Sequence, residues 1–558
     1  MSTCLAMKLR IAFCQMNQRV GDLAGNVERM LEWREKAATM GADLVMFPEM
    51  QVTGYPTEDL TLKNAFVLRA MEAAEDLADA TSDGGPPIIF GGIFAADGGV
   101  YNGVFFAEKG GIAAQRAKHE LPNYGTFDEH RIFAPGPLPD PVTWNGIKIG
   151  LPICEDIWEE RVCSHLADQG AELLLVMNGS PFELHKDEIR QRMVRDRVKE
   201  TGLPLAYLNR VGGQDELAFD GSSFIVNVGG SIAVQLPDWD ERMVMTEWEK
   251  GEDGWYCAEG EKADLDPYPE DAYHAMMVGL REYVHGNGFK GVILGLSGGI
   301  DSALSAAVAV DALGADNVWC VMMPSEYTSD HSLEDAMACA QLLGCRYDIV
   351  PIKPGVETME EMLEVPFRGT DPGLAEENIQ SRLRMVTLMA LSNRFGPMLL
   401  TTGNKSEMSV GYATLYGDMA GGYSVLKDVY KTTVFELSRW RNRVKPRLAL
   451  GPQGPVMPQR VITKPPTAEL RHDQKDEDSL PPYKTLDRIL EALIENEISV
   501  TATAKRTGAD IETVAEVEKL VLRAEYKRRQ APIGVKIGGR NFGRDRRYPI
   551  TNHFRTGK

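Results

Sequence analysis

No run of 18 apolar residues occurs in the 558-residue chain, so no segment of it reads as a membrane span. The opening stretch MSTCLAMKLRIAFCQMNQRV is broken by Lys8, Arg10 and Gln15, which argues against a signal peptide and predicts a cytoplasmic address. Eight cysteines, at 4, 14, 154, 163, 257, 320, 339 and 345, include no Cys-x-x-Cys pair. That excludes a disulfide framework and a zinc site, and any catalytic thiol must be argued from its neighbours. Basic charge is scarce. Sixty Lys and Arg face 81 Asp and Glu, a net charge of −21, which speaks against a nucleic-acid partner because that role needs a basic face. The chain end is the exception: residues 523–558 carry eleven Lys and Arg against Glu525 and Asp545. This reads first as a solvated tail, and second as one that meets phosphates or an acidic neighbouring subunit.

What is present is a folded chain too long for one core, and two to four domains are expected at roughly 150 residues each. The first half contains short apolar runs, KLRIAFCQM, ADLVMFPEM, PPIIFGGIF, GVFFAE, IKIGLPIC, AELLLVMN, LPLAYLN and SSFIVNV. Charged helical stretches (Asn26–Met40, Lys186–Lys199) and hairpin-like turns (Asp97-Gly98-Gly99, Gly229-Gly230) separate them, which predicts a layered α/β domain over 1–245. The acidic, turn-rich stretch that follows predicts a linker over 246–268. In residues 269–558, the runs GVILGL, NVWCVMMP, RYDIVPI and PMLLTTG read as buried strands alternating with helices such as Ser302–Leu313 and Asp335–Leu343. That is the pattern of a doubly wound parallel sheet, with ligands beyond the carboxyl ends of its strands. The Pro- and charge-rich stretch GPQGPVMPQRVITKPPTAELRHDQKDEDSLPPY is expected to be an ordered active-site loop or a mobile lid.

One loop carries the strongest signal. After the strand GVILGL, Gly295, Leu296, Ser297, Gly298, Gly299, Ile300, Asp301 and Ser302 run into an alanine-rich helix. Backbone N–H groups at a helix start, with serine hydroxyls beside them, make an anion site. A Walker A loop would carry lysine where Asp301 stands nearby, and a carboxylate beside phosphate suits Mg2+. A nucleophile elbow at Ser297 is the rival, needing Asp and then His downstream; His331, His472 and His553 lack that context. The SGGxDS signature resembles the pyrophosphate loop of the ATP pyrophosphatases. Further on, LLTTGNKSEMSVGYATLYGDMAGGYSVLKDVYKT supplies Thr402, Asn404, Lys405, Glu407, Asp418, Lys427, Asp428 and Lys431 beyond another strand end. Together with ENIQSRLRM and KPPTAELRHDQKDEDSLPPY, this run resembles the synthetase domain of NAD synthetases. The resemblance implies adenylylation of the nicotinic-acid carboxylate of deamido-NAD, followed by displacement of AMP by ammonia. By it, Gly295–Ser302 and Thr402 belong to ATP, Asp301 and Glu407 to Mg2+, and Asn378, Glu407, Lys427 and Lys431 to deamido-NAD.

Ammonia is mostly protonated in neutral water and the cation is no nucleophile, so the first half is expected to release NH3 locally. Glu49 ends the strand in LVMFPEM, Lys118 lies in RAKHELPNYGTFDEHRIF, and Cys154 ends the strand in IGLPICEDIW. A thiolate flanked by a carboxylate and an ammonium can attack an amide and stabilise the oxyanion. FPE, then KxxLPNY, then ICED resembles the Glu–Lys–Cys triad of the nitrilase superfamily, in the form seen in glutaminase domains fused to NAD synthetases. The resemblance implies Glu49 as base, Cys154 as nucleophile and Lys118 as stabiliser, with Tyr124, Ser180 and Lys186 holding L-glutamine. Asn178-Gly179-Ser180-Pro181 stands where that family often carries Asn-Ala-Ser-Pro. Both halves point to a nitrilase-like sandwich joined to a synthetase, acting on small molecules, with internal passage of ammonia and a homo-oligomeric assembly, dimer or higher. The alternatives are another ATP-pyrophosphatase amidotransferase acting on a nucleotide or tRNA, and a serine hydrolase using Ser297.

Overall fold

Alternation along Leu173–Asn178 sets the layers of the first half. Leu173, Leu175 and Met177 face a core they share with Ile11, Phe13, Ile89 and Phe106. Leu174 and Val176 face the other way, onto Val162, Leu166, Val194 and Val198. A strand buried on both faces must lie between another sheet and a helical layer, and each such aliphatic side chain contributes roughly 2 kcal/mol of burial. In the computed structural model the described residues are 7–471, 474, 476–478 and 480–556. Cys4 and His472 lie outside them.

The chain divides into two compact units, Met1–Gln214 with Ala218–Asp266, and Pro267–Lys558 with Asp215–Leu217. In the first, a seven-stranded sheet runs in the order Gly254–Cys257, Arg242–Gly251, Lys8–Gln15, Leu44–Met46, Ile88–Ala96, Gly99–Glu108, Gly111–Ala117. A six-stranded sheet runs in the order Ile232–Gln235, Phe224–Val226, Leu205–Asn209, Leu173–Asn178, Ile147–Gly150, Val142–Trp144. Helices Leu23–Thr39 and Asn64–Asp79 cover the outer face of the first sheet, and Glu160–Asp168 and Lys186–Thr201 that of the second. The unit is therefore a four-layer α/β sandwich. Both expected hairpins are present, since Ile88–Ala96 pairs antiparallel with Gly99–Glu108, and Phe224–Val226 with Ile232–Gln235.

The stretch expected to link the halves behaves differently. Arg242–Gly251 pairs antiparallel with Lys8–Gln15 along its length, and Gly254–Cys257 adds the next strand. Met243 and Met245 face the helical layer while Val244 faces the inter-sheet core. Glu247 and Glu249, alternating with Trp248, made a strand inside the sheet read as a linker.

In the second unit five parallel strands run in the order Arg346–Ile349, Val318–Met322, Val292–Gly295, Met398–Thr401, Tyr423–Ser424. The chain reverses its direction of progress between Val292–Gly295 and Met398–Thr401, and ligands of such sheets bind at that switch point. Helix Ile300–Leu313 is buried from Ser302 to Leu313, its alanines permitting close approach on every side. Arg346–Ile349, read as a buried run, is an edge strand with Arg346 and Ile349 exposed. A helical cluster built on Leu486, Ile489, Leu490, Val514, Val517 and Val521 follows. The basic chain end is anchored through its first part, while most of residues 549–556 are exposed. Lys527 donates to the carbonyls of Gly411 and Ala413, Arg528 to that of Ser409, and Arg546 pairs with Glu525 at 2.9 Å.

Candidate functional sites

Glu49, Lys118 and Cys154 come from three different strand ends and meet in the first unit, each at most 5% exposed. Glu49 follows Leu44–Met46, Lys118 ends the hairpin strand Gly111–Ala117, and Cys154 opens a short 3-10 turn after Ile147–Gly150. Lys118 Nζ donates to Glu49 Oε1 at 2.9 Å. Asn102 donates to the same oxygen at 2.7 Å, and the Gly179 N–H to Oε2 at 2.8 Å. The backbone of Glu49 passes so close to Gly91 that a Cβ there would stand 2.1 Å from the Met50 nitrogen, and only glycine fits.

Glu129, which the sequence reading passed over, holds Lys118 from the other side. Both its oxygens accept from Nζ at 3.0 Å, and Tyr55 OH donates to Oε1 at 2.9 Å. Burial opposes the ammonium, yet Glu129 and then Glu49 hold the Lys118 pKa well above the usual range. Burial pushes the Glu129 carboxyl upward, with Lys118 pulling it back. Burial likewise raises the Cys154 thiol well above its ordinary value, Glu49 adding to the rise and Lys118 opposing it. The thiol is therefore neutral at rest, and its proton must be removed by a neighbour. Cys154 itself adopts φ +45°, a strained conformation found where the surroundings over-determine it.

The three expected glutamine contacts lie around this centre. Tyr124, 54% exposed, donates from its OH to both oxygens of Glu155 at 3.1 Å. Burial raises the Glu155 carboxyl, and Lys186 is among the charges that draw it down. Ser180 follows Gly179 and accepts at Oγ from Arg190. Glu129 and Glu155 sit in the segments already singled out. Two carboxylates so near a lysine and a cysteine in sequence were the available signal, but nothing in the spacing told which of them turn inward.

The second centre is a cavity of about 280 Å3 at the switch point of the parallel sheet. Gly295, Leu296, Ser297, Gly299, Ile300, Asp301, Ser302, Thr402, Glu407 and Lys431 line it, while Asn378 and Lys427 are not among its lining residues. Asn378 accepts from Thr414 at 2.9 Å, and burial lowers the pKa of Lys427. Gly298 has φ +80°, and a Cβ there would stand 2.4 Å from the Ser332 carbonyl oxygen. Ser297 Oγ accepts the Gly299 N–H and contacts Ser302 Oγ at 3.1 Å. Its described partners include no histidine, so an elbow hydrolase finds no base here. From the Pro-rich stretch, Lys464 to Leu470 also line the cavity. Among its described residues that stretch includes the short helix Gln459–Thr463 and the 3-10 turn Asp476–Asp478.

Lys431 Nζ bridges Asp301 at 2.5 Å and Glu407 at 3.0 Å and lies 5.1 Å from the centre of the Tyr483 ring. Asn404, which caps helix Lys405–Val410 and accepts the Glu407 N–H at 3.0 Å, donates to Asp301 Oδ1 at 2.8 Å. Asp476 lines the same cavity, and Tyr483 OH donates to it at 2.8 Å. Burial raises the Glu407 carboxyl; Lys431 lowers it, and Asp301 and Asp476 raise it further. Three carboxylates around one ammonium leave negative charge in excess, and hard oxygen donors of this kind fit a Mg2+ ion. Lys405 is committed elsewhere, paired with Asp428 at 2.7 Å and with Glu495.

A carbon-nitrogen hydrolase family model matches residues 10–250, and an NAD synthase family model matches residues 272–531. The chain is 48% identical to the glutamine-dependent NAD(+) synthetase of Rhodobacter capsulatus, over 98% of this chain and 99% of that protein. It is 44% identical to the enzyme of that name from Acinetobacter baylyi, with the same coverage. Among solved structures, the glutamine-dependent NAD+ synthetase from Acinetobacter baumannii in complex with ADP is similar with a TM-score of 0.78, at 40% identity and 98% coverage of both chains. With likeness of this degree running through both units, the chain belongs to the glutamine-dependent NAD(+) synthetase family.

Proposed function

We propose that the protein makes NAD from deamido-NAD, ATP and L-glutamine, with the amide cut in the first unit and the new amide formed in the second. The observation that carries this reading is the fully buried Glu49–Lys118 pair beside the Cys154 thiol. Glu49 takes the thiol proton and the sulfur attacks the side-chain amide carbon of glutamine, forming a tetrahedral oxyanion that Lys118 stabilises. Collapse forms a thioester and releases NH3, with Glu49 returning its proton to the leaving nitrogen. Water then cleaves the thioester to glutamate. Tyr124, Ser180 and Lys186 hold the substrate, and half-buried Glu155 offers a carboxylate for its α-ammonium. Glu129 keeps Lys118 charged and aimed.

In the second unit the Gly295–Ser302 loop cradles the outer phosphates, with Thr402 alongside. The deamido-NAD carboxylate attacks the α-phosphorus, pyrophosphate leaves, and NH3 displaces AMP from the acyl adenylate. Asp301 and Glu407, with Asp476 beside them, would hold Mg2+, which when bound neutralises phosphate charge. Lys431 keeps those carboxylates apart and oriented. Asn378, Glu407, Lys427 and Lys431 are proposed to meet deamido-NAD.

The test replaces Cys154 with alanine and follows AMP and pyrophosphate formation with glutamine or ammonium as donor. Glutamine-driven synthesis should vanish while ammonia-driven synthesis stays within about 2-fold of the parent. Loss of both activities, or ADP as product, would overturn the reading.

A further inference from the structure

We propose that Asp156 is a positioning residue that ties the nucleophile turn to the segment after Lys118 and so sets where thiol and ammonium stand relative to each other. This rests on the roles assigned above to Cys154 and Lys118. The Asp156 carboxylate is 1% exposed and sits two residues after Cys154. One oxygen accepts the backbone N–H groups of His119 at 3.0 Å and Glu120 at 2.8 Å, the two residues that follow Lys118. The other accepts the N–H of Ile153, which precedes Cys154, at 2.9 Å. A single side chain thereby joins two segments 33 residues apart at the backbone atoms beside both reacting groups.

Chemistry explains why a carboxylate stands there. Serine has one oxygen and asparagine presents an NH2 on one side, so neither can face N–H donors in both directions. Charge is retained despite burial, which pushes the Asp156 carboxyl up to about 6 against the three N–H bonds that stabilise its ionised form. The link also supports the strained turn. The Asp156 N–H bonds the Ile153 carbonyl at 3.0 Å, closing the loop in which Cys154 holds φ +45°. On the other segment, Lys118 is anchored by its own N–H to the Asn102 carbonyl and by the Gly136 N–H to its carbonyl, each at 2.8 Å. With both ends fixed this way, Asp156 bridges them through backbone atoms next to Lys118 and Cys154, inside the more exposed Tyr124–Glu155 contact.

Asp156→Asn tests this, because the amide oxygen can serve only one of the two directions. In the intact enzyme, kcat for glutamine hydrolysis is expected to fall about 10–100-fold while the glutamine KM stays within about 3-fold. Alkylation of Cys154 by iodoacetamide is expected to slow about 10-fold, and ammonia-driven synthesis to stay within about 2-fold. Unchanged kcat and alkylation would overturn the proposal, as would a change confined to KM. A parallel loss of ammonia-driven synthesis would also overturn it, showing a general structural role. If the asparagine variant does not accumulate, Asp156→Glu, which keeps the charge but moves both oxygens, is read by the same criteria. Failure of the reading beneath the proposal shows separately, as glutamine-driven turnover that survives Cys154→Ala.

Discussion

At the scale of single residues, the first site is a chain of buried charges, Glu49–Lys118–Glu129, beside a neutral thiol. Glu129→Gln leaves Lys118 with one anionic partner instead of two. Glutamine hydrolysis should drop about 10–100-fold, as expected when an oriented group loses its support. The unit should lose about 2–3 kcal/mol, less than a fully orphaned buried charge costs because Glu49 still pairs. Steady-state glutaminase kinetics and denaturant unfolding check the two halves; unaltered turnover would exclude a positioning role. In the second site Asp301 touches both Lys431 and Asn404. Asp301→Ala should reduce synthesis about 100-fold or more with either nitrogen donor, as loss of a charge-placing group does. AMP release measured with glutamine and with ammonium decides it, and a loss confined to one donor would contradict the assignment. Motif order made Glu49, Lys118 and Cys154 legible: Glu49 and Cys154 each follow a hydrophobic strand, and Lys118 stood out through its KxxLPNY context. Glu129 was not legible, since its inward direction comes from the turn at Glu129–Arg131.

At the scale of elements, the proposed phosphate loop depends on one backbone geometry. Gly298 sits at φ +80° with the Ser332 carbonyl against the place a Cβ would occupy. Gly298→Ala should strain this loop by at least about 1–3 kcal/mol. The expected outcome is loss of ATP-dependent AMP formation while glutamine hydrolysis stays within about 2-fold, since the first unit has its own core. Equal ATP affinity and rate in the variant would mean that the loop does not meet phosphate. Three of the parallel strands were readable because apolar runs of four or five residues suit burial on both faces, whereas two-residue Tyr423–Ser424 gave no such run. Arg242–Gly251 was missed because acidic and apolar residues alternate along part of it, and Arg346–Ile349, read as a buried strand, is a strand whose place at the sheet edge no local pattern gives.

At the scale of the whole molecule, net charge and perturbed acids act together. Asp418 is exposed, yet desolvation by the surrounding chain raises its carboxyl from 3.8 to about 6, against the Thr414 N–H and Lys527. Below pH 3.8 folded and unfolded chains are both protonated there. Between that point and about pH 6 the folded chain binds the extra proton, so this group's contribution declines as pH rises. Asp418→Asn should flatten that part of the stability profile, as read by denaturant midpoints of the intact chain across the acid range. Identical profiles for variant and parent would refute it. The acidic surplus that argued against nucleic acid leaves the basic end to serve internally, where its arginines and lysines meet backbone carbonyls and buried glutamates. Composition shows that such charge exists, but a helix end offering free carbonyls nearby in space is invisible to it.

From sequence alone came the two α/β halves, the phosphate loop and the three residues proposed to cut the amide. The first two are local patterns, strand periodicity and glycine spacing, and the third is an ordered set of short motifs assigned through its resemblance to the nitrilase superfamily. Tertiary structure decided which additional groups converge, namely Glu129 on Lys118, Asp156 between two segments, and Lys431 among three carboxylates. Those meetings join residues from 11 to 130 positions apart, and each depends on burial raising the cost of an unpaired charge until a partner from a distant element answers it.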